Sequence, residues 1–193
     1  EPAADEFLPF GTWDPGTDPE AAGRLAGQAI ERAVRLAING IVDGIITGPI
    51  DKAALRAGGF TFPGHTEMLA SLAGDVPVAM MMAAETTVHG GPLRVVLATT
   101  HIRLADVPGA LSVERVVQQA RLTDQGLREE WGIERPRIAL CAVNPHASDG
   151  GLFGDEEARI LGPAIDTLRG GEVDAVGPVP ADTVFIRAIR GEF

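Results

Sequence analysis

Three observations predict a layered α/β fold for this chain. Short runs of apolar residues are nearly continuous rather than alternating, as in strands covered on both faces. These runs take turns with longer stretches whose apolar residues recur at helical spacing. Glycine- and proline-rich clusters separate the two kinds of segment. The chain has 193 residues, 45% of them hydrophobic and only 5% aromatic, so its core is built from Ala, Val, Ile and Leu.

The elements follow in order. Residues 1–18 are rich in Pro, Gly and Asp and read as an irregular lead-in; residues 19–193 read as a single α/β unit. Asp18-Pro19 offers an N-cap followed by a proline at the first helical position. Leu25, Ile30, Val34, Ala37 and Ile38 then form an apolar stripe that stops at Gly40. "IVDGIIT" reads as a short strand, "DKAALRAG" as a short helix, and the segment from about Thr66 to Leu72 as another. "VPVAMMMAA" and "LRVVLATT" read as neighbouring strands joined through the turn-forming "ETTVHGGP". Ser112 caps a long helix running to about Trp131, with Gly132 behind it. "RIALCAV" and "VDAVGPV" are strands flanking a helix, "DEEARILGPAIDTLR", with acids in its first turn; "DTVFIRAI" begins a final helix.

Charge and composition exclude several functions. The formal net charge of −11 argues against a nucleic-acid partner, which calls for a basic face. It leaves room for a small anionic substrate, because a few local cations can override the global field. Cys141 is the single cysteine, so neither a disulfide framework nor a cysteine metal site is expected; inside an apolar run it reads as a small core residue. With no apolar run long enough to span a bilayer and no signal-like start, a soluble, cytoplasmic protein without a membrane partner is expected. No GxGxxG and no GxxxxGK[ST] occurs, so any dinucleotide is held without the usual glycine fingerprint.

In α/β folds ligands gather where strand ends spill into loops. Here the polar loops are "TGPIDK", "TTHIRLAD", "NPHASDGG" and "GPVPADT", with "PGHTE" between two of them. His101 and His146 each stand just behind an apolar strand. A lone histidine there is more often a hydrogen-bonded structural residue; a pair at equivalent positions points equally to a metal, since imidazole suits Zn²⁺ and related ions. Catalytic zinc usually has three protein ligands, so the pair alone is incomplete. His65 and Thr66 open a helix whose N-terminus could receive an anion, although Thr66 could equally be only a cap. Lys52 follows Gly48-Pro49 and could meet a phosphate or remain a solvated lysine, Asp182 could be an N-cap or a cleft carboxylate, and His89 lies in a turn.

Taken together, "IITGPIDKAAL", "FPGHTEMLA", "LATTHIRLADV", "NPHASDGGLFGDEE" and "GPVPADTVF" resemble, in order, the 4-hydroxythreonine-4-phosphate dehydrogenase (PdxA) family, from about Gly11 to Phe193. The resemblance implies an isocitrate/isopropylmalate-dehydrogenase-like layered fold, with helices on a mixed, mostly parallel sheet, of which this chain is the central part. It also implies a homodimer with the site shared across the interface. The implied activity is oxidation by NAD or NADP, with decarboxylation, of 4-phosphohydroxy-L-threonine in pyridoxal 5'-phosphate biosynthesis, assisted by a divalent metal (Zn, Mg or Co). By motif, His101 and His146 fall on metal ligands, His65 and Thr66 on substrate contacts, and Asp182 on a catalytic aspartate that reaches toward the partner's site. Lys52 matches a family position without a stated role, and no cofactor-binding residue is assigned. "ASDGG" stands where "AGEGG" is usual. The family's third histidine, in a "YHDQG"-like motif, and its "GDPxGIGPE"-like motif do not occur in the chain. Two alternatives stay open: a dehydrogenase of a related four-carbon sugar-acid phosphate (threonate or erythronate 4-phosphate), and a truncated, non-catalytic dimeric homologue.

Overall fold

The structure, a computed structural model, describes residues 18–193. The chain divides into two compact units, with the boundary between Pro77 and Val78. The lead-in lies outside the described residues except for Asp18, whose side chain accepts the Ala21 N–H at 2.8 Å and caps the first helix.

In the first unit, α1 (Pro19–Ile38) turns Ile30 and Val34 inward, onto Leu55 of α2 (Lys52–Ala57) and Met68 of α3 (His65–Leu72). Leu55 and Met68 are almost wholly buried. Helices α1 and α2 approach so closely that a Cβ on Gly23 would sit 1.7 Å from the Ala54 carbonyl oxygen; only a residue without a side chain fits there. "IVDGIIT" is not a strand. It bends at residues 41–43 and then continues without pairing to any of the described residues, and Ile46 is fully exposed. Apolar, β-branched residues favour a strand, but without a neighbour to complete the ladder none forms.

The second unit holds two separate two-stranded sheets rather than one mostly parallel sheet. Strands β1 (Met81–Ala84) and β2 (Leu93–Val96) pair antiparallel, with Met81 opposite Val96, closing over the expected turn. A short helix α4 (Val107–Ala110) leads to α5 (Val113–Glu129), capped by Ser112, whose hydroxyl oxygen accepts the Arg115 N–H at 3.2 Å. Strands β3 (Arg137–Cys141) and β4 (Asp174–Val179) pair parallel, which requires a crossover connection. The crossover contains a π turn at Glu157–Leu161 and α6 (Gly162–Gly170); α7 (Ala181–Ile189) follows β4. The core joins Val116, Val117 and Ala120 of α5 to Leu140, Ile160, Leu161, Ala164, Ile165, Leu168 and Ala175. Cys141 lies outside it: the residue is exposed, on the opposite face of the strand from its buried neighbours Leu140 and Ala142, because successive side chains alternate.

Candidate active site

In the second unit, the strand-end loops are where polar chemistry collects. A cavity of about 1110 Å³ is lined by Thr99 and Leu104 on one side, by Ala142 and Asn144 on another, and by Val184 and Phe185 of α7. The loop after β2, the loop after β3 and the start of α7 therefore open onto one space. Neither imidazole of interest lines it, and His101 and His146 are both exposed.

The two histidines share an uncommon backbone. His101 has φ +58° and His146 φ +54°, in the left-handed region that non-glycine residues seldom occupy and that clusters at functional sites. His101 begins a turn closed by a two-point ion pair, Arg103 Nε to Asp106 Oδ2 at 2.7 Å and Nη2 to Oδ1 at 2.9 Å. His146 begins a longer departure, since Ala147, Ser148, Asp149 and Gly150 are also left-handed. Left-handed turns cost roughly 1–2 kcal/mol for each non-glycine residue, so something must hold this loop.

A carboxylate that sequence reasoning missed holds it. By sequence Glu157 is one of the acids of a helix's first turn, yet it is 6% exposed; it and Ser148 are the buried polar residues among those described. Glu157 Oε1 accepts the backbone N–H groups of Val143 and Asn144 at 2.9 and 2.7 Å. Oε2 accepts Asn144 Nδ2 at 2.9 Å and the Ser148 hydroxyl. Asn144 Nδ2 also reaches Glu156 Oε2 at 2.7 Å. Burial alone raises the Glu157 pKa, but the donated hydrogen bonds outweigh it, led by those from Asn144 and then Ser148, and hold the carboxyl down at about 2. Hydrogen bonds to a charged group contribute about 1.5–3 kcal/mol each, so a set of four is of the size needed to offset the left-handed run. The signal is in the structure and not in the sequence: Glu157 opens a π turn, a feature that often marks a functional position and that hydrophobic periodicity does not reveal.

The remaining expected residues fall as follows. Asp182 is exposed in the first turn of α7, whose cap position is Pro180, so it is not an N-cap; there it complements the positive end of the helix dipole. In the first unit, His65 is the opening residue of α3, and the cap position is Gly64, which makes no side-chain cap bond; Thr66 is therefore not the cap. Lys52 opens α2 behind Asp51, whose side chain accepts the Ala53 and Ala54 N–H groups, and it borders a shallow hollow with Arg56. His89 is exposed in the turn between β1 and β2. The donor chemistry of two imidazoles suits a divalent transition ion. Among the described residues no group of three or more His, Cys, Asp or Glu side chains is placed to hold one.

Fold and loops together define the class: a mixed α/β chain that shares its architecture with dehydrogenases of known structure. A crystal structure of 4-hydroxythreonine-4-phosphate dehydrogenase from Klebsiella pneumoniae superposes with a TM-score of 0.86 at 41% identity, over 94% of this chain and 53% of that one. The family described as pyridoxal phosphate biosynthetic protein PdxA matches residues 3–193, and the chain belongs to that family. Among curated relatives, a 4-hydroxythreonine-4-phosphate dehydrogenase of Paracoccus denitrificans is 52% identical over 146 residues, covering 75% of this chain and 45% of the relative. A D-threonate 4-phosphate dehydrogenase of Cupriavidus necator is 47% identical over 152 residues, covering 75% of this chain and 42% of the relative. The chain thus spans less than half the length of these curated relatives.

Proposed function

We propose that this chain carries part of a metal-assisted, NAD(P)-dependent dehydrogenase that oxidises and decarboxylates 4-phosphohydroxy-L-threonine. The observation that carries the reading is the matched pair of left-handed histidines, His101 and His146, behind β2 and β3 in a chain of the PdxA family. In the overall reaction the hydroxyl-bearing carbon loses a hydride to the nicotinamide and the oxygen loses its proton, and the resulting β-keto acid releases CO₂. A divalent ion held by these histidines would supply Lewis acidity at the substrate's hydroxyl. The two side chains would be two of the protein ligands, and a complete catalytic site would need a third. His65 and Thr66 are substrate contacts in this reading, and Asp182 is the catalytic carboxylate, reaching toward a second subunit. The complete fold is of the isocitrate/isopropylmalate-dehydrogenase type, and a homodimer would cover exposed apolar side chains such as Leu104, Leu152 and Phe153. Cytoplasmic location belongs to the same reading; among the described residues no helix is long and apolar enough to cross a membrane.

A second substrate is favoured by a specific observation, the D-threonate 4-phosphate dehydrogenase among the relatives. NADH and NADPH formation should therefore be followed with both phosphorylated substrates and added Zn²⁺, Mg²⁺ or Co²⁺. The assay should use this chain and one extended at both ends to the length of its relatives. Turnover by the extended chain supports the dehydrogenase reading and its preferred substrate names the acid. An extended chain inert toward every four-carbon hydroxy-acid phosphate would leave the non-catalytic homologue. In calorimetry, His101→Ala and His146→Ala should each weaken Zn²⁺ binding while His89→Ala does not; equal effects from all three would remove the site assignment.

A further inference from the structure

The reading above uses His146 but leaves unexplained the buried carboxylate beneath it. None of the ion pairs among the described residues includes Glu157. Its charge meets only N–H and O–H donors, and all four come from the segment that carries His146. The placement of those donors is what matters. Val143 and Asn144 bind it just before His146, and Ser148 binds it just after, so one carboxylate closes both sides of the turn with His146 between them. Gly154 keeps the clasp open to Asn144. With φ +143°, a Cβ there would stand 2.7 Å from Asn144 Nδ2 and 2.6 Å from Glu156 Oε2.

We infer that Glu157 is the positioning residue for His146, fixing by its clasp on Val143, Asn144 and Ser148 the left-handed turn that presents the imidazole. The inference deepens the proposed function and rests on the role assigned there to His146. A ligand's supporting partners typically change metal affinity by about 10–100-fold when lost. The clasp needs an acceptor on both oxygens. Glutamine in its place keeps the shape but turns a donor toward Asn144 Nδ2.

The test is NMR of the full chain, reading HN–Hα couplings and carbon shifts at residues 146–149, together with Zn²⁺ titration at the His146 ring. E157Q should average the couplings toward those of flexible chain and weaken Zn²⁺ binding about tenfold or more. Leu168→Ala, a core truncation away from the loop, should lower the melting temperature and leave the couplings alone. Native couplings in E157Q would overturn the inference, as would equal loss of them in Leu168→Ala. If E157Q does not fold, Ser148→Ala, which removes one of the four donors and keeps the charge, decides by the same couplings: altered supports, unaltered overturns. If instead His146→Ala binds Zn²⁺ as the parent does, the metal reading fails, and the couplings still judge the clasp.

Discussion

Glu157→Gln should destabilise the protein at neutral pH and matter progressively less in acid. The carboxyl is held at about 2 in the folded chain, against an ordinary 4.5. At about 1.4 kcal/mol per pH unit, that difference corresponds to about 3 kcal/mol of stability. Because the folded value is depressed, the contribution is complete above pH 4.5 and disappears as pH falls through about 2. Linkage between those two values removes about 2 kcal/mol of it by pH 3. Urea unfolding of both proteins, followed by circular dichroism from pH 7 to pH 3, measures this directly. Taking the difference between parent and variant cancels the other carboxylates, which titrate alike in both. The gap should be widest above pH 5 and narrow by about 2 kcal/mol at pH 3. A gap that stays constant across the range would show that Glu157 is not held ionised by its donors, and the account of the loop would fall with it.

Two further outcomes are expected. Leu168, fully buried in the core of the second unit, should cost about 2–5 kcal/mol when cut to alanine, read as a lower urea midpoint with an unchanged slope; a loss under about 1 kcal/mol would mean that the core is far looser than its burial implies. Cys141 is exposed, yet partial burial pushes its thiol pKa up. In the folded protein it should react with iodoacetamide at neutral pH, but more slowly than in urea, because the thiolate is the nucleophile; a faster rate in the folded state would contradict the raised pKa.

Much of the secondary structure was legible because local physics dictates it. Asp18-Pro19 and Ser112 mark helix starts, since a side-chain oxygen before an apolar stripe satisfies free N–H groups whatever surrounds it. The β1–β2 hairpin follows from two apolar runs and a glycine-rich turn. Where long-range pairing decides, the reading failed. "IVDGIIT" has strand residues but no partner among the described residues, and Cys141 has apolar neighbours but stands on the exposed face of β3.

The sequence by itself determined the motif order, the positions of His101 and His146 behind apolar strands, and the net charge of −11. Each is a property of residue type and spacing. Only the tertiary structure decided that both histidines take the left-handed backbone, that their loops face one cavity, and that Glu157 holds one of those loops in place. Glu157 stands nine to fourteen residues from the donors it accepts, a separation at which spacing no longer reports contact. Folding the crossover back over the end of β3 brings them together.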